Sequence, residues 1–173
     1  MTDRFAHKLH LDQIRDGDRL DLVADDEDRG AVAKRLGLVS LDRLEAHVTL
    51  GRTREIVRAD GRLLAALSQS CVITADPVTA HVDEPFTLMF VPGPPNGGPD
   101  EEIELGESDC DIVFHDGASI DLGGAIADTL ALSLDPYPRS AGADAALKEA
   151  GVLTEEQASP FAVLAKLRKT DEA

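Results

Sequence analysis

Apolar and polar residues alternate along two adjoining stretches of the chain, and this period of two predicts a β-hairpin. Leu44, Ala46, Val48 and Leu50 interleave with Arg43, Glu45, His47 and Thr49. After Gly51 to Glu55 the alternation resumes, with Val57, Ala59, Gly61, Leu63, Ala65 and Leu67 facing one way. Keeping both apolar sets on one buried face calls for pairings such as Val48 with Ala59, which places Glu45 opposite Arg62 on the wet side. That wet side carries Arg43, His47, Arg58 and Arg62. Further strands are expected at Val78 to Val82, Phe86 to Val91 and Ile112 to Phe114. A weak opening strand is expected where Phe5, His7 and Leu9 alternate with Ala6, Lys8 and His10, and Asp12 to Asp21 reads as turn and loop.

Helices announce themselves by their ends. Asp-Asp-Glu-Asp from Asp25 precedes Arg29 to Leu36, with Lys34 and Arg35 in the last turn and Gly37 just beyond, so the dipole is complemented at both ends. Asp121 is placed to cap a second helix, in which Leu122, Ala125, Ile126, Thr129 and Leu130 follow the 3.6-residue period until Asp135-Pro136-Tyr137-Pro138 stops it. The run from Pro92 to Pro99 is Pro/Gly-rich loop, and an acidic segment from Asp100 to Asp111 follows. Residues 139–158 read as a flexible linker with at most one marginal helix. Ser159-Pro160 then caps a tail helix over residues 159–173, lined by Phe161, Leu164 and Leu167. The fold class expected is α+β over residues 1–138: an antiparallel sheet, curled towards a barrel, with two or three short helices and the C-terminal tail helix. Strands that follow one another without intervening helices disfavour parallel βαβ units.

Composition changes this picture in one respect, through charge. The 173 residues suffice for one domain with a core of Leu, Val, Ile and Ala, since only five Phe and one Tyr are present and no Trp. The net charge of -16 is unevenly spread: residues 1–62 carry 12 Lys/Arg and 13 Asp/Glu, residues 63–138 carry none and 14, and residues 139–173 carry 5 and 6. A stretch of that length without a cation attracts basic proteins and repels phosphate backbones, or serves solubility alone. The charged start lacks the apolar run of an export signal, and no window approaches the length of a membrane span, so a cytoplasmic protein is expected. Cys71 and Cys110 are then reduced thiols rather than a disulfide.

Candidate chemistry is sparse. Cys71, His81, Cys110 and His115 do not have the spacing of a zinc motif, and no metal or other cofactor is expected. Cys71 with His81 or His115 as base could make a thiol nucleophile, against the simpler reading of a small buried thiol. Carboxylates are too abundant for adjacency to indicate acid/base catalysis. Gly123-Gly124 lacks the Lys and the spacing of a phosphate loop. The stripe Arg43, His47, Arg58 and Arg62 could touch an RNA backbone, although Glu45 and Asp60 lie among its charges.

Three separated pieces resemble one family. Gly61 to Val78, including Gly61, Ala65, Gln69, Cys71, Thr74 and Pro77, is similar to the central motif of the bacterial large ribosomal RNA subunit accumulation proteins, the YceD family. Asp121-Leu122 followed by Pro136-Tyr137-Pro138, and the terminal Pro160, Phe161, Leu164 and Leu167, look like its other signatures, in the same order. The resemblance implies a non-catalytic role in accumulation, processing or stability of large-subunit ribosomal RNA. Some relatives carry Cys-x-x-Cys at the central motif and a later Cys/His cluster suited to zinc. Here Thr74 stands at the second position and no cluster follows Pro138, so metal dependence does not carry over. The function expected is a ribosome-biogenesis factor that binds a basic ribosomal protein or pre-ribosomal particle through its acidic half. The alternative is direct RNA binding through the basic strand face, and a thiol- or metal-dependent enzyme comes third.

Overall fold

The structure, a computed structural model, describes residues 8–93 and 111–152. Its elements in chain order are β1 (Lys8–His10), a 3-10 turn (Leu11–Gln13), β2 (Asp18–Val23), α1 (Asp26–Leu36), β3 (Ser40–Thr53), β4 (Ile56–Ser70), β5 (Pro77–Pro92), β6 (Asp111–His115), β7 (Ser119–Asp121), α2 (Leu122–Ser133) and α3 (Ala143–Glu149). Two units divide the chain: Met1–Gln69 with Thr79–Pro136, and Ser70–Val78 with Tyr137–Ala173.

The larger unit is α+β. Its five-stranded sheet has the order β2-β3-β4-β5-β6, and β1 pairs with β7 in a separate two-stranded ribbon. Among the described residues the large sheet is open, with β2 and β6 at its edges, so no barrel is closed. The predicted hairpin forms, with its register moved by two residues: Val48 faces Gly61, Leu50 faces Ala59 and His47 faces Arg62. The shift preserves parity, so the face that was expected to be apolar is the buried one. It arises because the strands continue through Thr53 and from Ile56, leaving only Arg54 and Glu55 in the turn, where Arg54 takes a positive φ of 58°. A two-residue turn with φ above zero matches the twist of the strands it joins.

Three expectations are corrected. The sheet is mixed rather than antiparallel, because β6 runs parallel to β5. A parallel return needs a connection of about a dozen residues or more, which the 18 residues between Pro92 and Asp111 supply. The two strands expected around Phe86 are one, β5. Pro85 precedes the part of β5 that pairs with β6, Leu88 to Pro92, so it interrupts no bond to that strand. The end of the stretch Asp12 to Asp21, read as turn and loop, belongs to the edge strand β2 (Asp18–Val23), whose apolar Leu20 and Leu22 pair with Val48 and Ala46. Two alternating positions are too short a pattern to see in sequence.

Helix ends behave as their residues dictate. The Asp25 carboxylate accepts the Asp28 amide at 2.8 Å, and Gly37 closes α1 in the left-handed conformation at φ 66°. The Asp121 carboxylate accepts the Gly124 amide at 2.9 Å. A Cβ at Gly124 would lie 2.7 Å from that carboxylate, which accounts for the glycine without any phosphate. Inward positions of the sheet, Val32 of α1 and Ala125, Ile126, Ala127 and Leu130 of α2 form one core. Among the described residues, no helix is long and apolar enough to cross a membrane. The tail helix expected over residues 159–173, with Pro160, Phe161, Leu164 and Leu167, lies outside the described residues.

Candidate functional site

Alternation along β3 and β4 sends Arg43, His47, Arg58 and Arg62 to the outward face of the sheet, and all four meet a carboxylate there. Arg43 donates to Glu45 at 2.6 Å, His47 Nδ1 lies 2.6 Å from Asp21 on β2, Arg58 grips both oxygens of Asp60 at 2.8 and 2.9 Å, and Arg62 donates to Asp83 on β5 at 2.5 Å. The hydrogen bonds to Arg43, Arg58 and Arg62 hold the carboxyls of Glu45, Asp60 and Asp83 below the ordinary range; Asp60 also accepts the Thr87 hydroxyl at 2.9 Å. The stripe is thus a lattice of alternating sign. Sequence reading saw Glu45 and Asp60 beside it, but Asp21 and Asp83 come from other strands and only the sheet brings them in.

Towards the far end of the same face the character changes. Asp83 and Thr87 mark the outward parity of β5, which continues to Met89 and Val91; the register with β6 sets Ile112 beside Met89 and Phe114 beside Val91. Phe114 is 53% exposed and Ile56, outward at the start of β4, 41%. His115, facing the other way, is buried: its Nε2 bonds the Glu55 carbonyl at 2.8 Å and its Nδ1 accepts the Gly117 amide at 3.0 Å. Both ring nitrogens are engaged in holding the β6–β7 turn against the hairpin tip, which leaves neither free for base catalysis. His81 is exposed on β5.

Two open grooves lie on the larger unit. One of about 530 Å³ runs between α1 and the start of β3, lined by Asp26, Arg29, Lys34, Val39 and Asp42 among others. The other, about 390 Å³, is bounded by His10, Arg52 and Glu55. The Arg52 guanidinium is spent on the Leu11 and Ile14 carbonyls.

In the smaller unit, Cys71 opens the loop that joins β4 to β5. Its thiol is 3% exposed and accepts three amides, from Ile73 and Thr74 at 3.4 Å and from Ser140 at 3.2 Å. The Ser140 and Thr74 hydroxyls, followed by their amides, pull the thiol pKa down from 9.0 to about 6 against the opposing effect of burial. The loop closes through Cys71 N to Asp76 O at 2.8 Å and Ala75 N to Cys71 O at 3.0 Å, with Ala75 at φ 61°. Val72 donates to the Pro138 carbonyl at 2.9 Å, and the Thr74 and Ser140 hydroxyls are 3.0 Å apart. Among the described residues no three His, Cys, Asp or Glu side chains converge as metal ligands. Cys110 lies outside them.

The remaining motif residues have structural positions. Gly61 lies under the Phe86 ring, Ala65 and Leu122 are buried, and Gln69 donates its amide to the Asp135 carbonyl at 2.8 Å. Pro77 begins β5, Asp121 caps α2, Pro136 and Tyr137 are exposed, and Pro138 is buried. Ser140, placed by the sequence in a linker, is the partner that reasoning from sequence missed. A lone Ser after Pro138 carries no signal until the fold sets it against Cys71.

Residues 59–168 match the family described as "Large ribosomal RNA subunit accumulation protein YceD", a span of more than half the chain. No curated protein and no solved structure matches.

Proposed function

We propose, for a chain that belongs to the YceD family of large ribosomal RNA subunit accumulation proteins, that it supports ribosome biogenesis without catalysis of its own, by holding a basic ribosomal protein or a protein–RNA intermediate. The attraction for this comes from the acidic side chains of residues 63–138. One observation carries the reading: that stretch has 14 acidic side chains and no Lys or Arg. Its field draws in cationic protein and opposes a polyphosphate backbone. The three arginines on the strand face add little positive potential, since each is matched by a carboxylate at 2.5 to 2.8 Å. The family's link to ribosomal RNA is then made through a protein intermediate.

Affinity purification of the full-length protein from cells, with and without nuclease, tests this. Basic large-subunit proteins retained after nuclease treatment are the expected result. Loss of every ribosomal protein on nuclease treatment would favour direct RNA binding through Arg43, His47, Arg58 and Arg62.

A further inference from the structure

The outward face of β5 and β6 ends in a patch that none of the structural roles above consumes. Met89 and Val91 alternate with inward Leu88 and Phe90, and the parallel register places Ile112 and Phe114 next to them; Ile56 lies on the same side of β4. A phenylalanine more than half exposed beside further aliphatic side chains is unusual on a sheet whose inward face already holds the core, and such patches mark recognition surfaces. β6 is an edge strand, and among the described residues nothing pairs with its far side.

The charge around the patch says what could cover it. β5 and β6 bring no Lys or Arg, while Asp111 opens β6 and Asp116 follows it; the cations nearest the patch, Arg54 and Arg58, flank Ile56 on the hairpin. Arg58, on the neighbouring strand, is held by Asp60. An anionic or purely apolar occupant gains nothing from that field, whereas a cationic one does. An extended segment laid along an edge strand also presents alternate side chains to one face, which suits a row of apolar positions at the same period.

We infer that Ile56, Met89, Val91, Ile112 and Phe114 anchor an extended basic segment of a partner protein, one that alternates Lys or Arg with bulky apolar side chains and lies along β6. This deepens the reading above and rests on it. Apolar side chains of the segment bury Phe114 and Ile112, and its cations meet Asp111 and Asp116 at the two ends of β6, so the contact combines a desolvated anchor with a salt-sensitive approach.

The test uses the full chain and a short synthetic peptide alternating lysine with leucine and phenylalanine. A second peptide with serine at the apolar positions and a polyuridylate RNA are run beside it. The wild-type protein should bind the first peptide, with affinity falling as salt rises, and bind the other two weakly. Phe114→Ser with Ile112→Ser should weaken the first peptide by about tenfold or more, while Leu132→Ser, at a still more exposed apolar position on α2, should leave it unchanged. Ile56→Ser gives a second, single-site check, and thermal melts confirm that each variant is folded. Equal binding of the leucine/phenylalanine and serine peptides, or undiminished binding by folded Phe114→Ser/Ile112→Ser, overturns the inference. So does wild-type self-association abolished by that pair of changes, which would make the patch an interface between copies. In cells, a folded Phe114→Ser/Ile112→Ser variant that still retains basic large-subunit proteins sinks the patch and spares the proposed function. Failure of the wild type to retain any sinks the function itself.

Discussion

Where β3 and β4 meet solvent, three arginines are tied to carboxylates at 2.5 to 2.8 Å; where β5 and β6 meet it, the chain brings no Lys or Arg and ends in half-buried Ile112 and exposed Phe114. The two regions belong to one sheet face and obey the same alternation. Their difference lies in whether charge is spent internally. In the first, cations and carboxylates neutralise each other across strands, so the surface is wet but weakly polar in its long-range field. In the second, Asp83 alone is answered by a cation, Arg62 from β4, the strands themselves bring none, and the face ends in apolar Met89, Val91, Ile112 and Phe114. Formal charge counted along a strand therefore misleads in one place and understates the other: the Arg43 to Arg62 stripe is not a positive surface, while the net charge of -16 comes largely from residues 63–138, which contribute no Lys or Arg.

The comparison depends on the two regions being held in one sheet, and Gly61 is where that is most easily broken. A Cβ there would lie 2.5 Å from the His47 carbonyl oxygen on β3 and 2.6 Å from the Phe86 ring on β5. Neither the backbone of a central strand nor a packed aromatic ring can yield that much. Gly61→Ala should cost about 3 kcal/mol in denaturant unfolding, at the upper end of overpacking effects. A cost below about 1 kcal/mol would mean that β5 can slide, and that the pairing of Arg62 with Asp83 is not fixed by the fold.

The hairpin face, the capped ends of α1 and α2 and the family motifs were legible because each is written locally: a period of two, an Asp before a helix, a Gly after one. Parity survives an error in register, so the buried face was right although Val48 pairs with Gly61 and not with Ala59. What could not be read is non-local. The parallel return of β6 depends on a connection whose direction no periodicity encodes. Asp21 and Asp83 reach the basic stripe from strands far off in sequence, and Ser140 reaches Cys71 across 69 positions. The outward apolar end was hidden because Met89, Val91, Ile112 and Phe114 read as ordinary strand residues until their register showed which face they share.

A second test acts on the loop that carries β4 into β5. The Cys71 thiol pKa lies near 6 in the folded chain, against 9.0 ordinarily, because hydroxyls and amides of Ser140 and Thr74 favour the thiolate. A depressed folded pKa means that the stabilising contribution is fully present above about pH 9, falls as pH drops through the window from 9 to 6, and is gone below it. Alkylation by iodoacetamide should therefore show a midpoint near pH 6, its rate falling about tenfold per pH unit below that. Ser140→Ala should move the midpoint up by removing the first of these hydroxyls. A midpoint that stays near 9 in the wild type would show that burial outweighs the hydrogen bonds. Elemental analysis of the purified protein should find no stoichiometric zinc, since the thiol's partners are hydroxyls and amides; one zinc per chain would contradict the loop as described.

The smallest effect on stability, and the sharpest on the comparison itself, comes from undoing the pairing on the strand face. The ion pairs there are more than half exposed on at least one side, and pairs of that kind contribute little to folding. Replacing Arg43, Arg58 and Arg62 by Ala should leave the thermal midpoint close to wild type, and should not alter the weak binding of naked large-subunit RNA at physiological salt, because those cations are already neutralised. Asp60→Asn with Asp83→Asn does the reverse: it removes two negative charges and the ion pairs they make with Arg58 and Arg62. Filter binding should then show a severalfold gain in RNA affinity, steeply lost with added salt as phosphate contacts require. If instead the wild type binds RNA tightly and the three arginine changes abolish it, a paired arginine still exchanges its carboxylate for phosphate, and the distinction between the two halves of the face collapses.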